Sequence, residues 1–87
     1  MSSEVSAVII RISAEQVNAD VASVTPATDY VNDLNYDSLD VVDLSMKVED
    51  ALHVNIPDDR MQGLRTVGDV IEYVTANLPQ EKAPSRN

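Results

Sequence analysis

"DSLDVVDLSMKVEDAL", residues 37–52, is the stretch on which the fold turns. Val41, Leu44, Val48, Ala51 and Leu52 recur at helical spacing within one broad face, which predicts a helix that begins near Ser38 and buries that face. It stops before "HVNIPDD", residues 53–59, because Pro57 bars the residue before it from helical angles. At its start, Asp37 or Ser38 can accept a hydrogen bond from the free amides of the first turn, and Asp40 adds a favourable charge there. Leu39, Val42 and Met46 form a second apolar stripe pointing away from the buried face, bordered by Asp43, Glu49 and Asp50. An apolar stripe with an acidic rim has the form of a docking surface for basic partners. The structural alternative is a small bundle that buries both faces of this helix.

On the C-terminal side, "PDDRMQGL" reads as a short helical turn, with Pro57 at its start, aspartates at its positive end and Gly63 as its stop. "RTVGDVIEYVTANL" then opens with Thr66 as cap and Asp69 three residues on, a variant of the capping box, and Val67, Val70, Ile71 and Val74 supply its apolar face. Gly68 in that first turn costs up to about 1 kcal/mol relative to alanine unless another helix approaches there. On the N-terminal side, Val5, Val8, Ile9 and Ile12 follow helical spacing from Ser3 to about Val17. Between them, residues 18–33 form a long connection that Val21 and Val24 pin to the core, with Tyr30 and Leu34 as a second anchor. Three main helices plus one short one make an all-α fold, a small four-helix bundle.

At 87 residues the chain holds one domain, placed at residues 1–78, and "PQEKAPSRN", 79–87, has nothing to bury and is expected to be a disordered tail. The apolar content is 44%, nearly all aliphatic, with no Phe or Trp. There is no cysteine and a single histidine, so disulfides, cysteine-based zinc sites and multi-histidine metal sites are ruled out, and a cytoplasmic address fits. No signal peptide is visible in "MSSEVSAV", and the apolar run from Ala7 to Ile10 is far too short to span a bilayer. Fifteen acids against six bases give a net charge of −9. That charge disfavours nucleic acid and anionic lipid and favours basic protein surfaces. It is concentrated: from Asp29 to Asp59 there are nine acids and one base, Lys47. Solubility alone is the plainer reading of such a surface.

Ser38, set among Asp33, Asp37, Asp40 and Asp43, has four candidate roles. Asp33, Asn35 and Asp37 match positions one, three and five of a calcium loop, but the sixth position is Ser38 instead of glycine and the twelfth is Leu44 instead of glutamate. A nucleophile needs a base; His53 lies fifteen residues away at the far end of the same helix, roughly 20 Å at 1.5 Å per residue, and no nucleophile elbow surrounds the serine. A cap role is compatible with the helix start yet leaves the second apolar stripe unexplained. Attachment of a group is the fourth role.

The stretch from Asp37 to Val74 resembles the acyl carrier protein family through Asp37-Ser38-Leu39, Asp40, the aliphatic and acidic helix, "IPDD" at 56–59 and "TVGDVIEYV" at 66–74. The likeness extends back through "DYVNDL" at 29–34 and, weakly, "EVSAVIIRISAEQV" at 4–17. The resemblance implies a non-catalytic, monomeric carrier in which Ser38 bears 4′-phosphopantetheine, moved from coenzyme A by a phosphopantetheinyl transferase, with acyl groups held as thioesters. It further implies that Asp37, Leu39, Asp40, Val42, Asp43, Met46, Glu49 and Asp50 face basic patches on synthases, reductases and acyltransferases of fatty-acid or specialised lipid synthesis. An interior lined by Val41, Leu44, Val48, Ile56, Leu64 and Ile71 would part for an acyl chain. A polyketide carrier, or an unmodified acidic interaction module, is the alternative; a peptidyl carrier would more often show two glycines before the attachment motif. Asn35 stands where the family usually has glycine, and asparagine tolerates left-handed angles better than most residues. Tyr36, Lys47, Arg60 and Arg65 also depart from the pattern and point to a carrier with its own set of enzymes.

Overall fold

Helix propensity, apolar spacing and capping chemistry produce four α-helices among the residues that the computed structural model describes, 2–78. They are α1 (Ser2–Gln16), α2 (Ser38–Leu52), α3 (Asp58–Gln62) and α4 (Val67–Ala76), with a 3-10 turn at Val21–Ser23. The only strand-like pairing among these residues is one antiparallel bridge between Asp29 and Thr66. α1 packs against both α2 and α4, and α3 rests on α2. The expected tail at 79–87 lies outside the described residues.

Each helix end has a chemical cause. α1 closes in a Schellman motif: Asn18 adopts a left-handed φ of 58°, its amide donates to the Glu15 carbonyl, and the Ala19 amide reaches back to Ala14. Asp37 caps α2 in a full capping box with Asp40, and His53 ends the helix at a left-handed φ of 57°. Asp20 caps the 3-10 turn, its carboxylate accepting from the Ala22 amide. Pro57 and Gly63 bracket α3 as the sequence predicts. α4 opens with the second capping box, Thr66 with Asp69.

The core joins Val5 and Ile9 of α1, Leu44 and Val48 of α2, Met61 of α3, and Val67, Val70 and Val74 of α4. Fully buried side chains of this kind contribute about 1.5–3 kcal/mol each. Several expectations need correction. Ala51 is exposed, and the buried face of α2 is completed by Ser45. Ser45 tolerates burial because its hydroxyl donates to the Val42 carbonyl one turn back in the same helix (2.7 Å). In the long connection Val24 is buried but Val21 is 43% exposed, because the 3-10 turn rotates it outward. Tyr36, expected to mark enzyme preference, is a core residue instead.

Tyr36 and Tyr30 meet edge-on with ring centroids 4.9 Å apart. The Tyr36 hydroxyl donates to the Ser13 carbonyl (2.8 Å), and the Tyr30 hydroxyl pairs with the Ser13 hydroxyl (2.8 Å). Burial pushes the Tyr30 phenol up to about 12, against the opposing pull of its Ser13 bond. Burial, and then the nearby Tyr30 and Asp40, raise Tyr36 further. Both rings therefore stay protonated and keep these bonds at neutral pH.

The strap from Pro26 to Tyr30 is sewn to the start of α4 by three backbone bonds: Gly68 to Pro26 (2.8 Å), Val67 to Thr28 (2.9 Å) and Tyr30 to Arg65 (3.0 Å), donor first. A Cβ on Gly68 would lie 2.8 Å from the Pro26 carbonyl oxygen, so glycine is required by this loop and not by a neighbouring helix. The strap holds residues 29–36 beside the start of α2.

Candidate functional site

Residues 29–34 form one helical turn, in which the Asp33 amide donates to the Asp29 carbonyl (2.9 Å). Asn35 ends it at a left-handed φ of 59°, the conformation for which a glycine or asparagine is best suited. The chain then reverses, the Tyr36 amide donates to the Tyr30 carbonyl (2.9 Å), and Tyr36 enters the core. With Tyr36 anchored, Asp37 lies at the rim and Ser38 is the first residue of α2, exposed. Gln16 of α1 fixes the first turn from behind, its side-chain amide donating to the Asp40 carbonyl (2.7 Å).

The capping box accounts for two amides here: Asp40 N–H donates to the Asp37 carboxylate (2.9 Å) and Asp37 N–H to the Asp40 carboxylate (3.1 Å). The backbone amides of Ser38 and Leu39, and the Ser38 hydroxyl, have no hydrogen-bond partner among the described residues. Ser38 is thus a free hydroxyl beside two unfilled donors at the positive end of a 15-residue helix. A cleft of about 470 Å³ opens next to it, with Tyr30, Tyr36, Val41, Met61 and Leu64 among its walls and Arg65 on its border. Of the residues expected to admit an acyl chain, Val41 and Leu64 line this cleft. Leu44, Val48 and Ile56 are buried and Ile71 half-buried in the packed core.

Beyond the capping pair, Asp29 and Asp33 also have structural duties. Asp33 accepts from the Asp29 amide (2.8 Å), and Asp29 accepts from Val31 and Asn32 (2.9 Å each). The Asn32 amide, more than any other group, holds the Asp29 carboxyl below its usual range, with Arg65 a lesser contributor. Among the described residues no cluster of three or more His, Cys, Asp or Glu is placed to hold a metal ion.

On α2 the second stripe faces solvent: Leu39 is 75% and Met46 55% exposed, and Val42 is half-buried. Asp37, Asp43 and Asp50 are exposed around it, and Asp40 is half-buried. Glu49 differs from the rest of the expected rim. It is half-buried and its carboxylate accepts from the Ile56 amide (2.6 Å), so it braces the turn after α2. A carboxylate four residues before a helix end and seven before a chain reversal is the signal that would have pointed to that role.

Residues 7–74 match the family model described as "Phosphopantetheine attachment site". The chain is 41% identical over 76 residues to an acyl carrier protein of Porphyromonas gingivalis, covering 87% of this chain and 97% of that one. It is 47% identical over 64 residues to an acyl carrier protein of Helicobacter pylori strain J99, covering 74% and 82%. The chain belongs to the acyl carrier protein family. Proteins of this family bear a 4′-phosphopantetheine prosthetic group and carry acyl groups; they are carriers and not catalysts. The fold agrees: the solution structure of the apo doublet acyl carrier protein from prodigiosin biosynthesis superposes with a TM-score of 0.75 at 16% identity, over 87% of this chain and 37% of that one. No helix among the described residues is long and apolar enough to cross a membrane.

The residues present suit the acyl carrier prosthetic group. Ser38 would offer an exposed hydroxyl for the bond, the unpartnered amides of Ser38 and Leu39 would favour an anion there, and the adjoining cleft has both apolar and polar walls.

Proposed function

We propose that Ser38 is the residue that carries 4′-phosphopantetheine, and that the exposed face of α2 presents the loaded chain to acyl-processing enzymes of fatty-acid or specialised lipid synthesis. The observation that carries this reading is the free Ser38 hydroxyl beside two unfilled helix-start amides in an acyl carrier fold. The group supplies a terminal thiol for thioester chemistry, which a cysteine-free chain lacks. The chain's own residues hold the attachment point still: Tyr36 and Gln16 tie both sides of the α2 start to α1. His53 caps the opposite end of α2, too far away to serve Ser38, and a phosphopantetheinyl transferase activates the hydroxyl. This chain has no catalytic activity of its own and works as a cytoplasmic monomer.

Docking uses Leu39, Val42 and Met46 as a small apolar contact, with Asp37, Asp40, Asp43 and Asp50 steering basic patches toward it and Glu49 at its margin. Short encounters suit a carrier, and charge raises the encounter rate without demanding a large interface. Intact mass after incubation with coenzyme A, magnesium and a broad-specificity transferase tests the attachment. One pantetheinyl addition on the wild type and none on a folded Ser38→Ala variant is the expected result. No addition, or an addition that persists in Ser38→Ala, refutes it.

A further inference from the structure

We infer that Arg65 is a second holding point for the arm, moving from Asp29 to the phosphodiester when Ser38 is loaded; this rests on the attachment at Ser38 proposed above.

Arg65 borders the same cleft as Ser38 and Asp37, and it is the one cation among the residues that line it. Its backbone is immobilised on both sides. The Arg65 carbonyl accepts from Tyr30 (3.0 Å), its amide donates to the Asp69 carboxylate (3.1 Å), and the next residue, Thr66, forms the bridge to Asp29. The side chain, by contrast, is 76% exposed, and its ion pair is a single contact of 3.9 Å between Nη2 and the Asp29 carboxylate. At 3.9 Å the pair is at the outer limit of ion-pair contact, and its arginine side is open to solvent while the Asp29 side chain is 19% exposed. Asp29 does not depend on it, because the Val31 and Asn32 amides already serve its carboxylate. A guanidinium with a rigid base, an exposed head and a partner already served by two amides is available for another anion.

The start of α2 supplies the need. A phosphodiester on Ser38 would enter a neighbourhood already holding Asp37 and Asp40, and the capping box between those two has consumed the amides of residues 37 and 40. Only the Ser38 and Leu39 amides are left to answer the new charge. An arginine matches phosphate oxygens with a planar fork of donors, which a lysine's point charge does not. Contact with Arg65 would draw the first part of the arm toward the cleft, whose lining includes neither Leu39 nor Met46 of the docking stripe.

The test uses the full chain labelled with 15N, in apo form and after loading. Mass is read first: absence of loading overturns the attachment reading and this one together. In the loaded protein, the Arg65 Nε–H resonance is expected to shift from its apo position by more than those of Arg11 and Arg60. The 31P resonance of the phosphodiester is expected to move in a loaded Arg65→Gln variant and to return only part of the way in Arg65→Lys, which restores the charge without the fork of donors. Screening at about 1 M salt should collapse the 31P difference between wild type and Arg65→Gln. A loaded protein whose Arg65 Nε–H and 31P signals are indifferent to each other, or a 31P difference that survives high salt, overturns the inference while leaving Ser38 as the attachment point. Matching circular dichroism of the two variants establishes that each is folded.

Discussion

α2 and α4 begin with the same device and use it for opposite ends. Both open with a capping box of the same spacing, Asp37 with Asp40 and Thr66 with Asp69. At α4 the next two amides, Val67 and Gly68, are taken up by the Thr28 and Pro26 carbonyls, and Val67 is wholly buried. At α2 the equivalent two, Ser38 and Leu39, meet no partner among the described residues and their side chains face solvent. One helix start is a structural joint and the other an open socket. What separates them is the strap at residues 26–30, which covers α4 and stops short of α2.

The largest expected effect comes from substituting the second residue of each helix. Gly68→Ala forces its new Cβ against the Pro26 carbonyl and should lower unfolding free energy by about 1–3 kcal/mol in urea titrations. Leu39→Ala, at the matching position, should stay within about 0.5 kcal/mol of wild type. Equal losses at both sites would mean that the start of α2 is covered after all. Removing the caps should level the two ends: Asp37→Ala and Thr66→Ala each cost about 1 kcal/mol, since each deletes one side-chain acceptor for a first-turn amide. The smallest effect is in pH dependence. Amide bonds, that of Thr66 foremost, lower the Asp69 carboxyl from its ordinary value, so the folded state favours its ionised form. The stability linked to it is full above the unfolded pKa and is lost as pH falls through the lowered folded one. Asp69→Asn should therefore begin less stable at neutral pH, and its acid unfolding curve should converge on the wild-type curve at low pH.

The contrast between the two helix starts also explains what could be read from the chain alone. The capping box of α4, the boundaries of α3 and the tolerance of Asn35 for left-handed angles are local and legible in the sequence, whereas at α2 the sequence leaves Asp37 and Ser38 as alternative caps and the structure selects Asp37, boxed with Asp40. The free socket at Ser38 was visible as a residue pattern, through the acids and the apolar stripe that follow it. Gly68 was conspicuous as a poor helix residue, but its cause lies forty-two positions earlier in Pro26, beyond any local pattern. Tyr36 and Ser45 escaped for a related reason. Periodicity scores a tyrosine beside a motif or a serine within a helix by polarity, whereas burial depends on whether the hydroxyl finds a partner, and both do. Arg65 read as a departure from a family pattern, and only the cleft shows which group it stands beside.

The bond from Tyr36 to the Ser13 carbonyl spans 23 residues, and that from Gln16 to Asp40 spans 24. The last turn of the first helix carries carbonyls that its own amides cannot satisfy, and that of Ser13 waits for Tyr36. The finishing of α1 and the positioning of Ser38 are therefore one event in folding, so a newly made chain gains a presentable serine only when its first helix has been completed by residues from the far side of the loop.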